Sequence, residues 1–199
     1  MIRSFRLLTL LSSTVLAFAS TALAGGPSFD CTAKGLGEVE SLICKDAAFA
    51  ALDREIAATY KQALAKAGKG TSNTLAVEQR GWIKGRNDCW KDTAKGQCIT
   101  DQYLRRLAEL QARYGLIAPR RSVTYHCDNK PAHELVARYY ATKRASVVVE
   151  HGDDSFLLFA DSKAGDQYTG RNEQLKLEGK TIKFVPGFEA PPIACVEAK

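Results

Sequence analysis

The sequence predicts an α+β protein built as two domains: an N-terminal disulfide-linked three-helix domain and a small C-terminal antiparallel β-barrel of about eight strands. Three observations carry this prediction. Apolar residues recur at helical spacing up to about Tyr114 and alternate after Pro119. All six cysteines lie beyond residue 24. The chain opens on a short apolar segment with basic residues before it and a small-residue processing signal after it.

That opening segment is set apart first. Arg3 and Arg6 form a basic n-region, Leu7 to Ala19 is apolar, and Ala22-Leu23-Ala24 is an A-x-A signal. Cleavage is expected after Ala24, giving a periplasmic or secreted protein. Cys31 follows Ser28-Phe29-Asp30, which is no lipid-attachment site, so no lipid anchor is expected. Nor is a membrane span, because no later run approaches the roughly 20 apolar residues that one needs. The boundaries expected are 1–24 for the leader, 25–118 for the helical domain and 119–199 for the barrel.

The first helix is read from Glu38 to about Lys66 on Val39, Leu42, Ile43, Phe49, Leu52, Ile56, Tyr60 and Leu64. Residues 67–73 read as a turn. A second helix follows from about Thr74 to Trp90, with Leu75, Trp82, Ile83 and Trp90 inward, and a third from about Gln97 to Tyr114, with Gly115 as its stop. Strands are expected at 123–127, 135–140, 145–150, 156–160, 173–177, 181–185 and 193–195, separated by Asp-Asn-Lys-Pro, His-Gly-Asp-Asp and Glu-Gly-Lys turns.

An even cysteine count in an exported chain argues for disulfides, and no pair is spaced C-x-x-C. Antiparallel packing of the first two helices would pair Cys44 with Cys89 and leave Cys31 for Cys98. Cys127 on the first strand and Cys195 on the last would close the barrel. Each bridge is worth roughly 2–4 kcal/mol.

Composition narrows the function classes. Without Arg3 and Arg6, 26 basic side chains face 22 acidic ones, about +4 in all, and the excess is dispersed rather than gathered into a stripe. No nucleic-acid partner is expected. His126, His133 and His151 are the only histidines, and no metalloprotease, nucleophile-elbow or P-loop pattern occurs. The chain therefore reads as a protein other than an enzyme, with no cofactor and no metal.

The segment SLICKDAAFAALDREIAATY, then EQRGWIKGRNDCW, then CITDQYLRRLAEL, resembles the LprI-type N-terminal domain of exported proteins, from Cys31 to about Tyr114. Gln79, Trp82, Arg86 and Cys89 share one helical face, which suits packing of a partly buried arginine, with Asp53 as its partner. From Val123 onward, Tyr125-His-Cys127, Tyr139-Tyr140, Ala145-x-Val147, Ser162-Lys-Ala-Gly-Asp-Gln-Tyr168 and Cys195 resemble the MliC-type lysozyme inhibitor domain, a small eight-stranded barrel. Together the halves resemble LprI-type lysozyme inhibitors.

The resemblance implies lysozyme as the partner and Ser162, Lys163, Ala164, Gly165, Tyr168 and Lys180 as the contact residues. In the family a loop serine, assisted by a lysine in a later K-G turn, meets the enzyme's catalytic carboxylates. Here Ala164 stands at the serine position with Ser162 two residues earlier, and the turn reads Glu178-Gly179-Lys180. Gly165 would permit close backbone approach and Tyr168 would hold the loop base. Asp153, Asp154, Asp161 and Asp166 are the candidate acidic patch toward a basic enzyme. The alternative reading is a non-inhibitory envelope module that binds a protein, peptidoglycan or a small ligand.

Overall fold

Helix α1 (Glu38–Lys45) starts where the Gly37 amide donates to Glu40 Oε2 at 2.9 Å, and it buries Val39 and Ile43. The computed structural model describes residues 25–161 and 165–199; the leader and Ser162, Lys163 and Ala164 lie outside the described residues. Asp46 ends α1 in an extended conformation and caps α2 (Ala47–Lys66), its carboxylate accepting from the amides of Ala48 and Phe49 at 2.7 and 3.1 Å. The single helix expected over 38–66 is therefore two, because a side chain here competes successfully for the backbone donors.

After the Ala67–Gly68 turn, α3 (Lys69–Asn87) begins several residues before the expected start. Residues 69–73 are helical despite their turn-forming composition. Their inward neighbour is Leu75, which is fully buried. The phase of α3 also differs from expectation: Leu75, Gln79, Arg86 and Cys89 are buried, whereas Ile83 and Trp90 are 36% and 54% exposed. A 3-10 turn (Asp88–Lys91) leads into α4 (Lys95–Arg113), which packs Ile99, Tyr103, Leu107 and Leu110 into the same core. Gly115 takes φ +55°, the left-handed stop expected of it, and its carbonyl accepts from Lys66 Nζ at 2.6 Å.

The disulfides of this unit correct the expected pairing. Cys31 bonds Cys44 and Cys89 bonds Cys98, not 31–98 and 44–89. The expectation assumed that the first two long helices form an antiparallel pair. In the structure α2 packs chiefly on α4, and Cys44 belongs to a separate short helix beside the 25–37 segment. Each bridge closes a local turn instead.

Eight strands follow: β1 (Arg121–Cys127), β2 (Lys130–Tyr140), β3 (Ser146–His151), β4 (Asp154–Ala160), β5 (Gln167–Thr169), β6 (Gln174–Glu178), β7 (Thr181–Val185) and β8 (Ile193–Glu197). Each is antiparallel to its sequence neighbour, and β8 returns to β1, closing the barrel. Val123, Tyr125 and Cys127 point inward while Thr124 and His126 alternate outward. Asp128 and Asn129, at φ +53° and +55°, make the two-residue β1–β2 turn. The Cys127–Cys195 disulfide ties the first strand to the last.

Two strand features were not visible in the periodicity. β5 is three residues long and lies inside a stretch that reads as loop. β3 is buried on both faces over Ser146–Val149. One face fills the barrel. On the other, Val148 and Tyr140 pack with Ala112 of α4, Ile117 and Leu157.

Tyr139 is buried in the barrel and Tyr103 in the helical core, and burial is the main reason that each phenol titrates well above the ordinary value of 10.0. A phenol whose folded pKa is raised favours the folded state until the unfolded chain begins to ionise. Stability is therefore expected to fall as pH rises past about 10. An alkaline titration checks this: tyrosinate absorbance from these two residues should appear only together with loss of near-ultraviolet dichroism.

Candidate functional site

Because successive strands run antiparallel, the 141–145 connection, the 161–166 loop and the 179–180 turn all lie at one end of the barrel. This end carries the described part of the expected contact residues. Ser162, Lys163 and Ala164 fall outside the described residues, so the site is built from its flanks.

The base of the loop is tied at both sides. The Asp161 amide donates to Gln167 O at 3.0 Å, and the Leu177 amide donates to Asp166 O at 2.8 Å. Thr169 Oγ1 donates to Asp161 Oδ2 at 2.6 Å. Gly165 has φ +67°, and a Cβ there would sit 3.5 Å from Tyr168 Oη. A side chain at 165 would thus be strained by the backbone conformation, although its Cβ would only touch the tyrosine hydroxyl at ordinary contact distance.

Tyr168 is only 6% exposed. Its ring meets that of Tyr139 edge-on at 5.8 Å, and the Arg121 guanidinium lies 4.6 Å over Tyr139. Burial raises the Tyr168 hydroxyl's pKa, opposed by the Arg121 charge. The residue anchors the loop base in the barrel wall, while Asp161, Asp166 and Gln167 remain exposed.

The neighbouring turn presents Lys180 to solvent, with Gly179 at φ +70°. Glu178 receives both Lys176, at 3.1 Å, and Lys183, at 3.2 Å. Hydrogen bonds from these two lysines hold its carboxyl below the usual range. Among the described residues, no carboxylate pairs with the Lys180 ammonium. The acidic patch expected from Asp153, Asp154, Asp161 and Asp166 does not form as one patch. Asp153 precedes β4 and Asp154 opens it, whereas the other two follow it, roughly 20 Å away at strand rise.

The sequence motifs of the helical unit converge elsewhere, in its interior. Asp53 Oδ1 accepts from Arg86 Nη1 at 3.1 Å and from Tyr103 Oη at 2.7 Å. Asp53 Oδ2 accepts from the amide and hydroxyl of Ser28 at 2.7 and 2.5 Å. Arg86 also donates to Asn87 and lies within 6 Å of the rings of Phe29, Trp82 and Tyr103. Arg106 Nε donates to Gln79 Oε1 at 3.0 Å. The pairing of Asp53 with Arg86 is the one that the sequence suggested. Asp53, Gln79, Arg86, Tyr103 and Arg106 are buried in the unit, with Ser28 closing the network at the surface.

The architecture is thus a disulfide-braced helical module joined to a small closed barrel with exposed connections at one end. Residues 31–110, most of the helical unit, match the family model described as "Lysozyme inhibitor LprI". That family is one of inhibitors rather than enzymes. The match ends before the barrel begins, and no curated protein and no solved structure matches the chain.

Residues that periodicity and motif reading missed are Phe159, Arg144 and Arg105, which gather beside the loop. Arg105 and Arg144 both lie over the Phe159 ring, at 4.8 and 5.6 Å. Arg105 and Phe159 are more than fifty positions apart, so no local pattern could join them.

Proposed function

We propose that the protein is an exported lysozyme inhibitor, cleaved after Ala24, in which the barrel (119–199) presents the 162–168 loop to the lysozyme cleft and the helical unit (25–118) forms a separate domain. The observation that carries this reading is the loop base: anchored through Tyr168 and Gly165, tied to β6, and open to solvent beside Lys180. The family of the helical unit supplies the partner class.

Glycosidases of this kind act with two carboxylates flanking the scissile bond, one protonated and one ionised. An occluding loop needs donors for those oxygens. Ser162 supplies a hydroxyl, Lys163 and Lys180 supply cations, and Ala164 and Gly165 let the backbone approach closely. No turnover is required, so no nucleophile–base pair is needed.

The test is inhibition of lysozyme acting on a cell-wall suspension by the purified mature chain, across several lysozyme classes. Inhibition is expected, and Ser162→Ala and Lys163→Ala should each weaken it several-fold. Wild-type potency in the double variant would move the contact off this loop. Complete lack of inhibition, with capture of a different envelope protein, would favour the non-inhibitory module.

A further inference from the structure

Phe159 occupies an unusual position for a barrel residue. Its neighbour Leu158 points into the barrel core and is fully buried. Phe159 therefore faces outward, yet it is only 5% exposed. Two guanidiniums cover it, that of Arg144 from the β2–β3 connection and that of Arg105 from α4. Arg144 is in turn paired with Asp101 of α4 at 3.3 Å, and Lys143 pairs with Glu55 of α2. Among the described residues, these are the two ion pairs that join a helix to the barrel.

Asp101, Arg105, Ala108 and Ala112 follow one another at i, i+4, i+7 and i+11 along α4. This is a second face, distinct from the Ile99, Tyr103 and Leu110 face that fills the helical core. At its far end Ala112 packs on Tyr140 and Val148. The barrel is thus attached to α4 at two points, an apolar one near Ala112 and a charged, aromatic one around Phe159. Two separated points restrict the barrel to rotation about the line joining them, where one would leave a free pivot.

The second point lies at the loop. Phe159 is followed by Ala160 and then by Asp161, which is bonded to Thr169 at the loop base. Arg105 interacts electrostatically with both Asp101 and Asp161, partly offsetting its burial and the like charge of Arg144.

We infer that α4 orients the end of the barrel at which β4 stops, that Arg105 is a positioning residue for the loop base at Asp161 and residues 165–168, and that the α4 edge at Asp101 and Arg105 borders the surface receiving the partner. Only the last part rests on the function proposed above. The partner's cleft rim would meet a mixed-charge shoulder of Asp101, Arg105 and Lys143 beside the loop. The helical unit then has a definite role: it restricts the orientation of the loop end and limits which clefts can close over it.

The experiment uses the full mature chain and two readouts, amide exchange of the 161–168 segment and the dissociation rate from an inhibited lysozyme. Arg105→Ala is expected to speed exchange of that segment several-fold, with the rest of the barrel unchanged, and to speed dissociation several-fold. Arg105→Lys keeps the charge but loses planar stacking on Phe159, and should fall between. Arg113→Ala, on the same helix but ion-paired with Glu109 alone among the described residues, should change neither readout. If Arg105→Ala folds poorly, Phe159→Leu makes the same test from the barrel side. Unchanged exchange in the 161–168 segment overturns the inference, as does acceleration spread evenly through the barrel. Faster exchange with unchanged dissociation overturns the partner-facing role of the α4 edge and leaves the positioning role standing. If the wild-type chain inhibits no lysozyme, the proposed function fails, and the exchange readout alone decides whether α4 holds the loop.

Discussion

Arg86→Ala is expected to destabilise the helical unit by about 3–5 kcal/mol, the range found when one partner of a buried ion pair is removed. The guanidinium is 3% exposed as a residue and Asp53 is 4% exposed. Without Arg86, Asp53 keeps the hydroxyl of Tyr103 and the two donors of Ser28 but loses its only cation within 4 Å among the described residues. Three rings, Phe29, Trp82 and Tyr103, also lose the group around which they pack. Chemical denaturation of the mature chain measures this. Replacing both charges together, Asp53→Asn with Arg86→Met, should cost less than Arg86→Ala alone, because no unpaired charge stays buried. A loss below about 1 kcal/mol in Arg86→Ala would mean that water reaches Asp53 in the folded state, the cost expected of an exposed pair.

Removing the Cys127–Cys195 bridge, as Cys127→Ser with Cys195→Ser, is expected to cost about 4 kcal/mol. The bridge spans 68 residues, and chain-entropy arithmetic gives roughly 3 kcal/mol for the Cys31–Cys44 and Cys89–Cys98 bridges, which span 13 and 9. The seam that it closes is short: β1 and β8 share three residue pairs, Tyr125 with Glu197, His126 with Val196 and Cys127 with Cys195. Thermal unfolding should show the loss, and amide exchange should rise first along β8. If the 89–98 deletion proves costlier than this one, the loop-length account of these bridges is wrong.

Both predictions concern features that differ in how far the sequence revealed them. The Asp53–Arg86 pair was legible because the helical spacing of Gln79, Trp82 and Arg86 placed an arginine on an inward face, where it needed an acid. The 127–195 bridge was legible because the strands carrying it begin and end a closed sheet. The other two bridges were not. Their partners depend on which helices pair, and α2 meets α4 rather than α3 as its main neighbour.

Strand β5 was hidden for a different reason. Three residues show no period, and Gln167–Thr169 become a strand only because Ala160 and Leu175 stand on either side to pair with Tyr168. The break at Asp46 escaped the periodicity because the apolar stripe continues across it. The acidic patch failed because sequence proximity on either side of a strand means opposite ends of a barrel.

By itself the sequence determined the fold class, the change of period near Pro119, the inward faces of most elements and the family resemblance over residues 31–110. These follow from the 3.6- and 2-residue repeats and from motifs whose residues lie within one or two turns of each other. Only the tertiary structure decided which cysteines of the helical unit meet, that Tyr168 packs edge-on against Tyr139, and that Arg105 and Arg144 close over Phe159. Those contacts join residues from elements far apart in the chain, and their distances are set by how whole faces pack, a quantity that no local pattern encodes.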